Sequence, residues 1–522
     1  MDPNNLNNLE LEQQKVLNHL KNLSCQDEFK NKAAEEIQQN KEATSIEEIN
    51  QISTQKNSSK QTQKIIGIRR ENKNKWERRV GLTPSDCKKL LNSGVRIILQ
   101  PSSLRCFTDK QYADIGVEIN EDISSANVII GVKEVPLDYL MQNKTYLYFS
   151  HTIKGQPANM PALRDILQKN IRLIDYECIK EKENPTGKLD RLVAFGRFAG
   201  LAGAIDFLQG FGEFLLHKKF ISPFMHTGYS YMFPGLEEAM HSVTQVGKLI
   251  EKKKLPKELC PFVIGVTSSG RVSKGAQEIL KLLPHEIIEA DKIHELFTTK
   301  KGQVRNDCVY ITVIESEHMY SHIEKNNFEK KDFYANPQNY KSVFAEKFVP
   351  HLSILLHCMF WDPKFPRILS LEEAHNLSEK KQFRLFGISD ITCDLKGSIE
   401  LLQKFTTIEN PFYAIDPLTG VMFDDFDKMT ENSIIYHAVD HLPAELPIDA
   451  SKHFSEKLTG FMKTIAESDY PCDFPNEEES DLSVEIYRAC ETWNGRLMPR
   501  YAYLYKELAK NYPKYKEIAE KQ

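Results

Sequence analysis

No run of residues in this chain is apolar for long enough to cross a bilayer. The longer ones, such as Leu352 to Trp361, fall well short of the roughly 20 residues a spanning helix needs, and His357 interrupts that one. No membrane partner is expected. The ten cysteines include no CxxC pair and follow no secretory leader, which points to reduced thiols in an intracellular protein rather than a disulfide framework. No arginine occurs before Arg69, so an Arg-rich presequence is not expected, and the cytoplasm is favoured over the mitochondrion. A basic stripe is also lacking: the net charge is -5, with 68 Lys and Arg against 73 Asp and Glu, which leaves no footprint for nucleic acid. GxxxxGK[ST], GxSxG and HExxH are absent, and the pair His318 and His322 has no cysteine beside it, so no metal site is expected.

What is present suffices for two cores: 522 residues, 41% of them hydrophobic. A mean hydropathy of -0.46 matches a well-solvated surface. Residues 1–63, rich in Asn, Gln, Glu and Lys, read as a polar tail with helical patches such as Leu9 to Leu20. From Ile65 short apolar runs alternate with helical stretches: Ile65 to Ile68, Val95 to Leu99, Val128 to Val132, Tyr146 to Phe149 and Ile171 to Ile174. That alternation predicts a parallel sheet. Ala199 to His217 reads as a helix whose small residues allow close backbone approach between domains. A second block follows, with strands predicted at Phe262 to Val266, Ile287 to Glu289, Val309 to Val313, Leu352 to His357 and Phe383 to Ile388. After Gly397 the chain reads as mainly helical, over Lys452 to Ser468, Ser483 to Glu491 and Pro499 to Lys510, and is expected to return over the first domain. The fold class is α/β with two Rossmann-like domains. Residues 64–198 and 397–522 would form a discontinuous catalytic domain, and 199–396 an inserted dinucleotide-binding domain.

The cofactor signal is Phe262 to Ala276, an apolar strand, a Ser/Gly turn and a helix starting near Val272. A helix N-terminus offers free N–H groups and a positive dipole to a pyrophosphate. Gly270 and Gly275 fit the glycine fingerprint, while Ser268 stands where its first glycine belongs. Glu289, about 20 residues on, suits a ribose hydroxyl and so NAD, whereas Arg271 suits a 2′-phosphate. Both are equally readable as solvated loop charges.

In the first block, charged residues follow the predicted strands. Arg79 lies in a charge-dense loop, Lys133 and Glu134 follow Ile129 to Val132, and His151 follows Tyr148 to Ser150. Parallel sheets bind ligands at the C-terminal ends of their strands, so Lys133 and His151 are acid/base candidates for one crevice. Singly, each is more often an ordinary packed or surface residue.

Together the segments Trp76 to Pro84, Gly131-Val-Lys133, Phe149 to Lys154, Arg172 to Glu177, Val193 to Gly203, Val272 to Gln277, Asp390 to Asp394 and Thr406 to Phe412 resemble the lysine-ketoglutarate reductase domain of aminoadipic semialdehyde synthase. The resemblance runs in order from about Ile65 to Leu446 and extends to the saccharopine and alanine dehydrogenases. It implies that L-lysine and 2-oxoglutarate are joined as saccharopine with NADPH or NADH. Lys133 and His151 would be the acid/base pair and Arg79 would grip a carboxylate. Lys154, Gln156, Glu177 and Arg191 would line the substrate crevice, with Ser268, Gly270, Arg271, Val272, Gly275, Glu289 and Asp394 on the cofactor. Ser268 departs from the reductases' usual glycine and puts a Cβ near the pyrophosphate path. Relatives fuse this domain to a saccharopine-oxidising one that is not found before Gln522, so the chain is expected to act alone or with a separate saccharopine-oxidising enzyme. A homo-oligomer is compatible with the sequence. The competing expectations are a catalytically silent scaffold or binding subunit, and an alanine-dehydrogenase-like or saccharopine-oxidising enzyme on the same fold.

Overall fold

The computed structural model describes residues 65–181, 191–299, 301–468, 470 and 476–521; the polar tail and its helical patches lie outside them. The first sheet is built from β1 (Ile65–Ile68), β2 (Arg96–Leu99), β3 (Glu118–Ile119), β4 (Val128–Ile130), β5 (Thr145–Tyr148) and β6 (Arg172–Asp175), all parallel. The second contains β7 (Val263–Thr267), β8 (His285–Ile287) and β9 (Val309–Ile314). A small ribbon of β10 (Tyr320–His322) and β11 (Tyr340–Ser342) follows, and the sheet continues with β12 (Ile354–His357), β13 (Gly387–Asp390), β14 (Phe412–Ile415), β15 (Met422–Phe423) and β16 (Ile434–His437). Finally β17 (Cys490–Trp493) and β18 (Arg496–Leu497) return to the first sheet. The spatial orders are β18-β17-β6-β5-β4-β1-β2-β3 and β15-β14-β16-β13-β12-β7-β9-β8. Their strands are largely buried apolar runs, as expected of sheets covered on both faces.

Two features differ from the sequence reading. The second sheet does not stop near residue 396: Phe-Tyr-Ala-Ile and Ile-Ile-Tyr-His of β14 and β16 pair antiparallel and extend it to His437. The segment expected to be helical over Ser483 to Glu491 is helical only at Val484–Ala489, and then becomes β17.

Four helices position the site. α1 (Pro84–Asn92) starts from the Thr83 cap, and α2 (Gly196–His217) is buried along most of its length. α3 (Arg271–Leu280) follows β7, and α4 (Pro447–Glu467) returns to the first domain. There Ser451 Oγ accepts from Val80 N–H at 2.9 Å, and Ser455 Oγ accepts from Thr83 N–H at 2.9 Å. α2 crosses α3 through Gly200 and Gly275. A Cβ at Gly200 would lie 1.9 Å from Val272 O, and one at Gly275 2.1 Å from Arg197 O, so neither position has room for a side chain.

Candidate active site

β6, β5, β4 and β1 are neighbours, so the residues after their C-terminal ends converge on one crevice. Glu177 follows β6, His151 follows β5, Lys133 and Glu134 follow β4, and Glu71 and Arg79 belong to the loop after β1. His151 is left-handed, with φ 58°. Its Nδ1 lies 3.5 Å from Glu177 Oε2 and its Nε2 3.8 Å from Glu134 Oε1. Glu134 thus ties the segment of Lys133 to the ring of His151. Arg191 Nη1 contacts Glu177 Oε1 at 3.1 Å. Burial would push the Glu177 carboxyl up, but His151 and the charges of Arg191 and Lys154 win and hold it at about 2.

Arg79 is buried against the ring of Phe195 at 4.3 Å and held by Glu77, with Nε donating to Oε1 at 2.8 Å and Nη2 to Oε2 at 2.5 Å. Burial alone would raise Glu77; the charge of Arg79, its hydrogen bonds and the charge of Lys133 bring it below the usual carboxylate range. Glu71 goes the other way: burial raises it, despite Arg69 and the N–H groups of Val132 and Lys133, which donate to it at 2.7 and 3.1 Å. That carboxylate fixes the backbone on which Lys133 stands.

From the second domain, Asp394 faces Lys154 electrostatically. Burial and the charge of Asp390 push it up to about 6 against the pull of Lys154. His441, after β16, is lowered by burial and then by the charge of Lys133, with Asp440 and Arg79 also acting on it. Gln156 is exposed at the cap of the turn Pro157–Asn159. Glu71, Asp440 and His441 were not singled out in the sequence. Their signals were the acid after Arg69-Arg70 and the His437-Ala-Val-Asp-His-Leu-Pro443 segment leaving a strand.

The glycine-rich turn lies between β7 and α3. Gly270 caps α3, and a Cβ there would meet nothing closer than Ser268 Oγ at 3.6 Å, so the turn leaves open space beside the start of the helix. Ser268 takes the glycine conformation, φ 70°, and its Oγ accepts from Gly270 N–H at 3.1 Å. The cradle fits a pyrophosphate, with one donor engaged by Ser268. Arg271 is exposed; Glu289 lies two residues beyond β8, exposed and ion-paired with Lys292 at 2.6 Å.

Residues 67–202 match the family described as "Alanine dehydrogenase/PNT, N-terminal domain". A saccharopine dehydrogenase (NAD(+), L-lysine-forming) of Candida albicans is 34% identical over 456 residues, covering 83% of this chain and 98% of that one. The chain belongs to the saccharopine and alanine dehydrogenase superfamily. "Alpha-aminoadipic semialdehyde synthase" of Arabidopsis thaliana is 40% identical over 454 residues, 84% of this chain and 41% of that protein. The Mus musculus protein, described as mitochondrial, is 34% identical over 455 residues, 85% of this chain and 48% of its own. The chain therefore spans less than half the length of these two superfamily members. L-alanine dehydrogenase, among solved structures, shares the fold with a TM-score of 0.53 at 15% identity, covering 85% of this chain and all of its own. Among the described residues no helix is long and apolar enough to cross a membrane.

Proposed function

We propose that the chain is an oxidoreductase that condenses L-lysine with 2-oxoglutarate and reduces the product to saccharopine. The observation that carries the reading is the delivery of Lys133 and His151 to one crevice by the adjacent strands β4 and β5, with Glu134 reaching from one to the other.

The ε-amine of lysine has a pKa near 10.4, so fewer than about one molecule in a thousand is a nucleophile at neutral pH. His151, oriented by an ionised Glu177 at Nδ1, takes that proton at Nε2; Lys133 exchanges protons with the keto oxygen as water leaves. Attack of the amine on the keto carbon followed by loss of water gives an imine. Arg79 meets a 2-oxoglutarate carboxylate with the edge of its guanidinium that Glu77 does not occupy, and Lys154, Gln156 and Arg191 line the rest of the crevice. Ser268, Gly270, Arg271, Val272 and Gly275 form the turn that would hold NADPH or NADH, with Glu289 toward its ribose and Asp394 near its nicotinamide. What that cofactor supplies when bound is hydride for the imine.

The alternative, a catalytically silent binding subunit, is favoured by Ser268, whose Oγ already engages a phosphate-cradle N–H. One experiment separates them: oxidation of NADPH and of NADH by the purified chain with lysine plus 2-oxoglutarate, and saccharopine identified by mass spectrometry. Lysine-dependent saccharopine formation, reduced roughly a hundredfold or more in K133M, supports the enzyme. No turnover and no binding of either nucleotide by calorimetry overturns it.

A further inference from the structure

β17 joins β6 with a register shift: Cys490 pairs with Ile174 and Thr492 with Leu173, leaving Glu491 as the extra residue between them. A bulge re-aims a side chain, and here it buries Glu491 completely in the first domain, beneath the turn that carries His151. Glu491 Oε2 lies 2.6 Å from Thr152 Oγ1, Thr152 Oγ1 lies 2.5 Å from Ser150 Oγ, and Ser150 Oγ donates to Asp175 Oδ2. Glu491 Oε1 is buried without a hydrogen-bond partner.

Three links in this chain need three protons. The hydroxyls of Ser150 and Thr152 supply two, so the third belongs to a carboxyl. Asp175 also accepts from the backbone N–H groups of Ser150 at 3.1 Å and Glu177 at 2.7 Å, which stabilise its ionised form. Glu491 therefore holds the proton.

We propose that Glu491 is a positioning residue for His151: as the neutral acid it donates from Oε2 to Thr152 Oγ1, aligning Thr152, Ser150 and Asp175 into one directional chain that locks the left-handed turn between them. This rests on the role given to His151 above. An uncharged Glu491 also leaves its lone Oε1 a carbonyl-type oxygen, cheaper to bury than half of a carboxylate.

Burial, followed by the charge of Asp175, raises Glu491 to about 8. Burial also dominates at Asp175, where the Ser150 hydroxyl and the Glu177 N–H oppose it and the charge of Glu177 adds to it, giving about 6. Glu491 faces Asp175 and Glu177, and its charge reaches Tyr148, Cys178, Tyr501 and Tyr503. His151 faces Glu134, Glu177 and Asp175. Ionisation of Glu491 would put a second buried charge beside Asp175 and remove the proton that orders the chain.

The test uses the full chain with ¹³C-labelled histidine, the His151 resonance being the one missing in H151N. Wild type should show a second inflection near pH 8, the region of Glu491 ionisation. E491Q, whose amide N–H still donates to Thr152, should lose that inflection and keep turnover on the alkaline side. E491L should lower kcat roughly tenfold to a hundredfold with KM little changed. Superimposable His151 titrations in wild type, E491Q and E491L overturn the proposal. If wild type makes no saccharopine, the reductase reading fails while the resonance still decides whether Glu491 positions His151.

Discussion

Glu77 grips Arg79 at two points across a single intervening residue, with both side chains buried. Removing one partner of a buried, hydrogen-bonded pair leaves the other charge uncompensated, at a cost of about 3–5 kcal/mol. E77A should therefore lose stability on that order in urea denaturation. R79K should raise KM for the keto acid, because an ammonium cannot hold Glu77 bidentately and still present an edge to substrate. An E77A variant as stable as wild type would contradict this.

Glu177 predicts an acid limb. Its folded value of about 2 lies below its ordinary 4.5, so its contribution is present above the ordinary value and is lost as pH falls from there toward 2. At 1.36 kcal/mol per pKa unit the contribution is about 3 kcal/mol. E177Q should be less stable than wild type at neutral pH, with the gap closing as both are acidified. Parallel stability curves across that window would refute the pairing with His151 and Arg191.

Ser268 holds a backbone conformation that costs a residue with a Cβ about 1–2 kcal/mol. S268G should raise the thermal midpoint and, by freeing Gly270 N–H from Ser268 Oγ, tighten nucleotide binding measured by calorimetry. Weaker binding in S268G would mean that the hydroxyl itself serves the cofactor.

The crossing of α2 and α3 should reject a single methyl group. G200A and G275A each place a carbon about 2 Å from a carbonyl oxygen of the other helix and should cost about 1–3 kcal/mol or more by chemical denaturation. Gly302, with nothing within 4 Å of its Cβ position, is the control, and G302A should be near neutral.

Much of the fold was legible. The ten strands expected in the two blocks all occur, displaced by a few residues at most, because each is an apolar run bounded by turn residues. The long helix is found at Gly196–His217. β14 and β16 escaped notice as four-residue runs in a turn-rich segment, and their membership of the second sheet comes from antiparallel pairing with each other and from β16 joining β13. β17 escaped because a short helix runs directly into it.

The sequence by itself determined the α/β alternation, the Ser/Gly turn between β7 and α3 and the strand-end positions of Arg79, Lys133 and His151, since period and local turn chemistry suffice for these, while Glu177 was reached through the family resemblance. Only the tertiary structure decided what holds those groups in place. It set Glu134 and Glu177 about His151, brought Glu77 onto Arg79, and turned Glu491 from a distant strand beneath Ser150 and Thr152. The reason is physical: desolvation and pairing depend on what lies next in space, and apart from Glu77, which is local to Arg79, these neighbours come from other strands and loops.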